Sequence, residues 1–269
     1  GYFGVDHAPS PDVRRPGLEH RERPPRPPIR FDRNRAQGVV FYPELEAAET
    51  AETTVELEAS GRDADELERQ VRIEARPRGA GHEVIVDASA RGGFLGFREG
   101  QYRVRITAPN GATVRATLAT ADISGRGPFG AVEIDAASGD VAFDHITGHA
   151  KINTASGDVE LGQVGSAKLN SASGDVRVDD AAAEIEANTA SGDIDLRRVT
   201  AGEVKAHSAS GDVEIGIAKG SRLWVDAQSL SGDTTSELEL EAAPSGEDEG
   251  PLVELRAQTM SGDISVRRA

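Results

Sequence analysis

Seven aspartates close the same tripeptide. Ser-Gly-Asp recurs with its acid at Asp140, Asp158, Asp175, Asp193, Asp212, Asp233 and Asp263, at spacings of 18, 17, 18, 19, 21 and 30 residues. Carboxylates repeated at such a period line up in a column once the chain coils, and a column of acids could hold Ca²⁺ or a cationic surface. Calcium-binding solenoids use a glycine-rich nonapeptide whose Asp reaches between coils, and that spacing is absent here. The structural alternative is that Gly supplies a positive φ while Ser and Asp hold turn amides. A second periodic column, Asn153, Asn170, Asn188, His207, Gln228 and Gln258, could form hydrogen-bonded amide rungs or a glycan-binding strip. Sugar sites favour exposed aromatic platforms, and Trp224 is the only tryptophan. It is expected at a coil edge where the repeats become irregular. The candidate binding ladder is therefore Asp140, Asp158, Asp175, Asp193, Asp212, Asn153, Asn170 and Asn188.

Other chemistry is thin. His145 and His149 flank a bend, but a metal would need a third convergent ligand. Asp144 is near, whereas His207 is several coils away, so the pair reads as exposed turn histidines. There is no nucleophile elbow, phosphate loop or zinc signature, and no cysteine. No catalytic residue, cofactor site or metal site is assigned.

The elements that position these columns follow from the repeat. An apolar–polar–apolar triplet follows the Ser-Gly-Asp in the regular repeats: Val159-Glu160-Leu161, Val176-Arg177-Val178, Ile194-Asp195-Leu196, Val213-Glu214-Ile215. A lone apolar residue marks a bend at Ile146, Val164 and Val199, and a second alternating strand leads into the next turn. One such coil cannot bury its own inward residues; stacking coils about 4.8 Å apart buries them and pairs every strand. The sequence thus predicts an all-β fold, a single-stranded parallel β-helix over residues 112–269 with right-handed coiling. A degenerate first copy of the turn is read at Ser124-Gly125. The expected core is Val141, Phe143, Ile152, Val159, Leu161, Leu169, Val176, Val178, Ile194, Leu196, Val213 and Ile215. A low aromatic content, 4%, with 30 Gly suits a core of stacked small and β-branched residues.

Upstream, residues 39–111 alternate with period two, as in Val55 and Leu57, Val84 and Val86, or Val104 and Ile106, and turn signals separate the runs. They predict a short antiparallel β cap at one end of the solenoid. Residues 1–38 read as a disordered Pro/Arg-rich arm; residues 1–36 hold seven of the 13 prolines and carry a net charge of +3, against −16 for the whole chain. The acidic body lacks the basic stripe a nucleic-acid surface needs. Residues 236–250, rich in Glu, read as an acidic loop expelled from one coil. At the far end, Arg267 and Arg268 are expected to guard the last strand, Ile264–Arg268, against stacking. No apolar run is long enough to span a membrane. The chain opens on Gly1 rather than Met, consistent with a processed or truncated product.

The repeated Ala-Ser-Gly-Asp-Val turns, preceded by an alternating segment and Ile106-Thr107-Ala108-Pro109-Asn110-Gly111, resemble the bacterial putative-adhesin family of β-strand-repeat proteins, a domain of unknown function. The resemblance covers residues 50–269. It implies a single-stranded β-helix, often envelope-associated, with no assigned catalytic residue. The chain departs from the pattern at Asp233-Thr234-Thr235-Ser236, where the apolar triplet is missing.

Three functions stay open: a non-enzymatic structural or surface-presentation module, a polymerising bactofilin-like scaffold, and a carbohydrate-active β-helix enzyme. The last should cluster carboxylates in a groove walled by long loops, whereas these loops are short and alike. The expected partner is an envelope component, protein or glycan. The expected location is the cell envelope or outside the cytoplasm, and the expected state is a monomer or weak homo-oligomer.

Overall fold

The computed structural model describes residues 28–32, 39–61, 71–78, 81–87, 100–236 and 250–269. In these, the strands in chain order are β1 (Pro28–Asp32), β2 (Val39–Ala48), β3 (Thr54–Gly61), β4 (Arg72–Arg78), β5 (Gly81–Asp87), β6 (Gly100–Pro109) and β7 (Thr113–Leu118). They continue with β8 (Ile123–Phe129), β9 (Ala131–Ala136), β10 (Val141–Thr154), β11 (Val159–Ser173), β12 (Val176–Ala181), β13 (Ile185–Ser191) and β14 (Ile194–Val199). The last are β15 (Gly202–Ser210), β16 (Val213–Ile217), β17 (Arg222–Ser229), β18 (Thr234–Ser236), β19 (Leu252–Ser261) and β20 (Ile264–Arg268). No helix occurs among the described residues.

The triplet after each turn builds one parallel ladder. Val141, Val159, Val176, Ile194, Val213 and Ile264 stand in register across β10, β11, β12, β14, β16 and β20. The strand before each turn builds the other, with Ile152, Leu169, Ala187, Ala206 and Ala257 aligned through β10, β11, β13, β15 and β19. Alternation sends every second residue inward, and every residue of the expected core is buried. The bend residues Ile146, Val164 and Val199 are buried too. Phe129 and Phe143 meet edge to face at 5.5 Å.

The chain is a solenoid whose coils are not stacked in sequence order at either end. β19 lies between β15 and β17, and β20 lies between β16 and β18. The last coil in sequence is thus clasped inside the stack, and the coil of β17 and β18 forms the end of the stack among the described residues. The last strand is not the free edge that Arg267 and Arg268 were expected to guard, because β18 covers β20 over Ile264–Val266; past Val266 only the β16 side is paired among the described residues. Arg268 instead donates to the carbonyls of Ala218 and Ser221, and Arg267 pairs with Glu214. This order also accounts for Thr234-Thr235-Ser236. Thr234 and Ser236 pair with the buried Ile264 and Val266 and have no described coil beyond them, so exposed hydroxyl residues stand where aliphatics would be exposed.

The other end follows the same plan. β1 is parallel to both β5 and β7, and β2 is parallel to both β6 and β8. Among the described residues, the expected antiparallel cap is present in β3 against β6 and β4 against β5. Two sequence expectations change. The arm expected over 1–38 contains the paired strand Pro28–Asp32, with Ile29 buried; its remainder lies outside the described residues. The cap expected over 39–111 does not stand apart from the solenoid, since β1 and β2 extend its parallel ladders. Residues 237–249 of the acidic loop also lie outside the described residues.

The turn demands its glycine twice over. Gly174 has φ +135°, and a Cβ there would sit 2.3 Å from the carbonyl oxygen of Gly157 in the neighbouring coil. Gly220, at φ +84°, has open space around it. Gly174→Ala is therefore expected to cost several kcal/mol, combining a strained backbone of about 1–3 kcal/mol with a forced separation of coils. Gly220→Ala should cost only about 1 kcal/mol, the backbone contribution alone. Chemical denaturation of the two variants measures this; equal losses would contradict the close packing of the turns.

Candidate functional site

The Asp column is a hydrogen-bonded ladder. The amide of Asp158 donates to Asp140 Oδ1, that of Asp175 to Asp158, and that of Asp193 to Asp175, each at 2.9 Å. The series runs on through Asp212 to Asp193, Asp263 to Asp212 and Asp233 to Asp263, each at 2.8 Å. Each carboxylate except that of Asp233, which ends the series, thus answers the next amide of the turn instead of facing another carboxylate unscreened. The order Asp212, Asp263, Asp233 retraces the clasped coil. The ladder starts one coil earlier than expected, because Asp140 N donates to Asp122 Oδ1 at 3.0 Å. Thr120-Ala121-Asp122 is the true first copy, hidden by its lack of Ser and Gly but findable 18 residues before Asp140. Ser124-Gly125, the expected first copy, lies within β8, with Gly125 opposite Phe143.

The amide column is a ladder with a direction and an end. Asn153 Nδ2 donates to Asp135 Oδ1 at 2.8 Å, Asn170 to Asn153 Oδ1 at 2.8 Å, and Asn188 to Asn170 Oδ1 at 3.0 Å. Asp135, which only accepts, sets the direction, and so every later amide donates toward it. Beyond Asn188 the series stops. Gln228 Nε2 turns aside to Asp226 Oδ1 at 2.9 Å.

A groove opens where the ladder stops. It encloses about 460 Å³, between Asn188, His207, Gln258 and Gln228 on one bank and Ala209, Met260 and Leu230 on the other. The residue before each Ser-Gly-Asp is Ala in five coils, from Ala137 to Ala209. In the last two coils of the stack it becomes Met260 and Leu230, which are 60% and 81% exposed. Between the banks runs an inward column of hydroxyls. Ser208, Thr259 and Ser229 donate to glycine carbonyls of nearby turns, while the buried Thr189 Oγ1 has no hydrogen-bond partner. The clasped coil assembles this groove, since it sets Gln258 and Met260 between the His207–Ala209 and Gln228–Leu230 segments. Sequence order alone would have placed them last.

The outward faces carry charges of alternating sign. Arg177 reaches Glu160 at 3.1 Å and Asp195 at 3.4 Å. Its guanidinium is raised above its ordinary range, chiefly by the hydrogen bond to Asp195. The hydrogen bond from Lys168 holds the Glu186 carboxyl below the usual carboxylate range, and that from Lys151 does the same for Glu133. Exposed pairs of this kind are each worth under about 1 kcal/mol; their chief effect is to favour one register of stacking. His149 Nδ1 lies 3.0 Å from Ser166 Oγ, and no group of three or more His, Asp or Glu among the described residues could hold a metal. Trp224 lies on the outermost strand, with the Arg256 guanidinium 5.8 Å from the centre of its ring.

Residues 44–267 match the family model described as Toastrack DUF4097. Among solved structures, the chain is similar to a putative adhesin from Bacteroides fragilis, at 14% identity over 89% of this chain and 91% of that one, with a TM-score of 0.49. A putative adhesin from Parabacteroides merdae shares 14% identity over 89% and 90%, with a TM-score of 0.31. A putative cell adhesion protein from Clostridium sporogenes shares 8% over 91% and 93%, with a TM-score of 0.27. No curated protein matches. With its strand repeat, its stacked turns and a family match spanning most of its length, the chain belongs to the Toastrack DUF4097 family.

Proposed function

We propose that the chain is a non-enzymatic presentation module of the cell envelope that holds an extended partner, protein or glycan, in the groove at the end of its amide ladder. The observation that carries this reading is the replacement of Ala by Met260 and Leu230 at the point where the hydrogen-bonded amides give way to His207 and Gln258. Apolar contact beside unused amide and imidazole groups is the composition of a recognition surface. The Asp column, whose Oδ1 atoms from Asp140 to Asp212 are committed to backbone amides, lends the face rigidity, and its outer oxygens remain a candidate contact for cationic partners. Catalysis would need dissimilar groups converging in a water-poor pocket, and these columns repeat one group along an open face.

The test is binding of arrayed envelope glycans and extended peptides to the whole protein, compared with Met260→Ala/Leu230→Ala and with His207→Ala. Loss of binding by about tenfold or more in both variants, with unchanged melting, supports the groove. Binding unaffected by either variant moves the site elsewhere. Cleavage of a glycan by the purified protein overturns the non-enzymatic reading.

A further inference from the structure

The physical end of the stack exposes a strand edge that the rest of the molecule avoids. β17 pairs with β19 on one side, and no described strand lies across its other edge. Its inward residues Leu223, Val225 and Ala227 align with Val253, Leu255 and Ala257, which are fully buried one coil below. On β17 burial is incomplete: Leu223 and Ala227 are half-buried against the core, Val225 is 39% exposed, and the outward Trp224 is 49% exposed. The opposite end is guarded. There β4 carries Arg72, Glu74, Arg76 and Pro77, and β3 carries Glu56 and Glu58 outward, the devices that blunt an edge strand. β17 has no proline, glycine or lysine along its length.

We propose that β17 pairs antiparallel with β17 of a second copy about a two-fold axis at Trp224. Directly opposed residues of an antiparallel pair point to the same face, so the axis must fall on a residue for inward to meet inward. With the axis on Trp224, Leu223 faces Val225 of the partner subunit, and Arg222 faces Asp226 of the partner subunit. Symmetry repeats both contacts, and the two indoles meet at the axis. Moving the axis to Val225 sets Arg222 against the partner's Gln228 and loses the ion pairs. Arg222 uses its Nε on the Gly250 carbonyl and Asp226 uses Oδ1 on Gln228, so the terminal guanidinium nitrogens and Oδ2 remain for this contact. The partner is a copy of the same edge because the segment is self-complementary in both charge and packing. The guarded opposite end disfavours head-to-tail growth into a filament. A pairing of five residues is far smaller than the roughly 800 Å² per partner of a standard interface, and the net charge of −16 opposes contact. The dimer is accordingly weak and concentration-dependent.

A charge-swap cycle tests this on the whole protein by sedimentation across a concentration series. Wild type should pass from monomer to dimer, with Trp224 emission moving to shorter wavelength as it does so. Arg222→Asp sets acid against acid on both sides of the axis and should weaken association about tenfold or more; Asp226→Arg, which sets two cations together, should do the same. Arg222→Asp/Asp226→Arg should restore it, since the pair is reversed but complementary. Melting curves verify that each variant folds. A wild type that stays monomeric, single swaps that associate normally, a double swap that fails to recover, or growth beyond dimers would each overturn the proposal. Arg222→Asp leaves every groove residue and its hydrogen bonds in place, so partner binding in the groove is read independently in that variant; Asp226→Arg releases Gln228 and is read for association alone.

Discussion

Leu196→Asp is expected to lower stability by about 3–5 kcal/mol and the melting temperature by about 10 °C or more. Leu196 is buried in register between Val178 and Ile215, and all three are almost wholly out of water. A carboxylate there would lie among aliphatics with no hydrogen-bond donor to meet it. The outward neighbours supply the control, but they are not interchangeable. Arg177 bridges Glu160 and Asp195, so Arg177→Asp would stack three acids in adjacent coils. Glu160→Gln removes one exposed charge and should stay within about 0.5 kcal/mol. Equal melting of Leu196→Asp and Glu160→Gln would refute the inward assignment of the triplet.

The second large effect concerns the clasped coil. Removing residues 250–269 should abolish cooperative folding, whereas deleting residues 176–193, one 18-residue repeat, should leave a shorter solenoid that still melts as a unit. Both deletions remove one coil. The internal deletion joins Asp175 to Ile194, which already succeeds an Asp in the same register, so the flanking coils can stack on one another. The C-terminal deletion takes away Val253, Leu255, Ile264 and Val266, whose burial contributes roughly 1.5–3 kcal/mol each. It also strands β17 and β18, which pair with no other described strand. The sum is comparable to the whole stability of a typical domain, about 5–15 kcal/mol. Circular dichroism melts decide the matter; a 1–249 chain that melts like the full one would mean the clasped coil is dispensable.

Much of this was legible because the repeat carries its own register. A period near 18 with an apolar–polar–apolar triplet leaves one choice of inward face, and Val159 through Ile215 obey it. The amide column could be read for the same reason, since Asn153, Asn170 and Asn188 hold one position in successive coils. The order of the last coils could not be read from their inward residues. Leu223, Val225 and Ala227 show the same apolar alternation as Val253, Leu255 and Ala257, so the pattern alone does not rank the two strands. The distinguishing mark was Thr234-Thr235-Ser236, whose hydroxyls suit a face with no described coil beyond it. The groove stayed hidden with it, because His207, Gln258 and Gln228 become neighbours in that order only after the insertion. At the other end, Pro28–Asp32 was masked by the prolines around it. Pro28 opens the strand, where a missing amide hydrogen is tolerated.

Clasping also imposes a timetable on synthesis. A solenoid stacked in sequence order can grow coil by coil as the chain emerges, each new strand docking on the one before. Here residues 222–236 are made before the segment that joins them to the stack, and β1 waits for β5 and β7, made some 50 to 90 residues later. Both ends of the molecule must therefore close after the middle has formed, by contacts distant in sequence, which are the slow ones. Until residues 252–268 arrive, the edges of β15 and β16 stand open, and the nascent chain is most prone to mispairing in that interval.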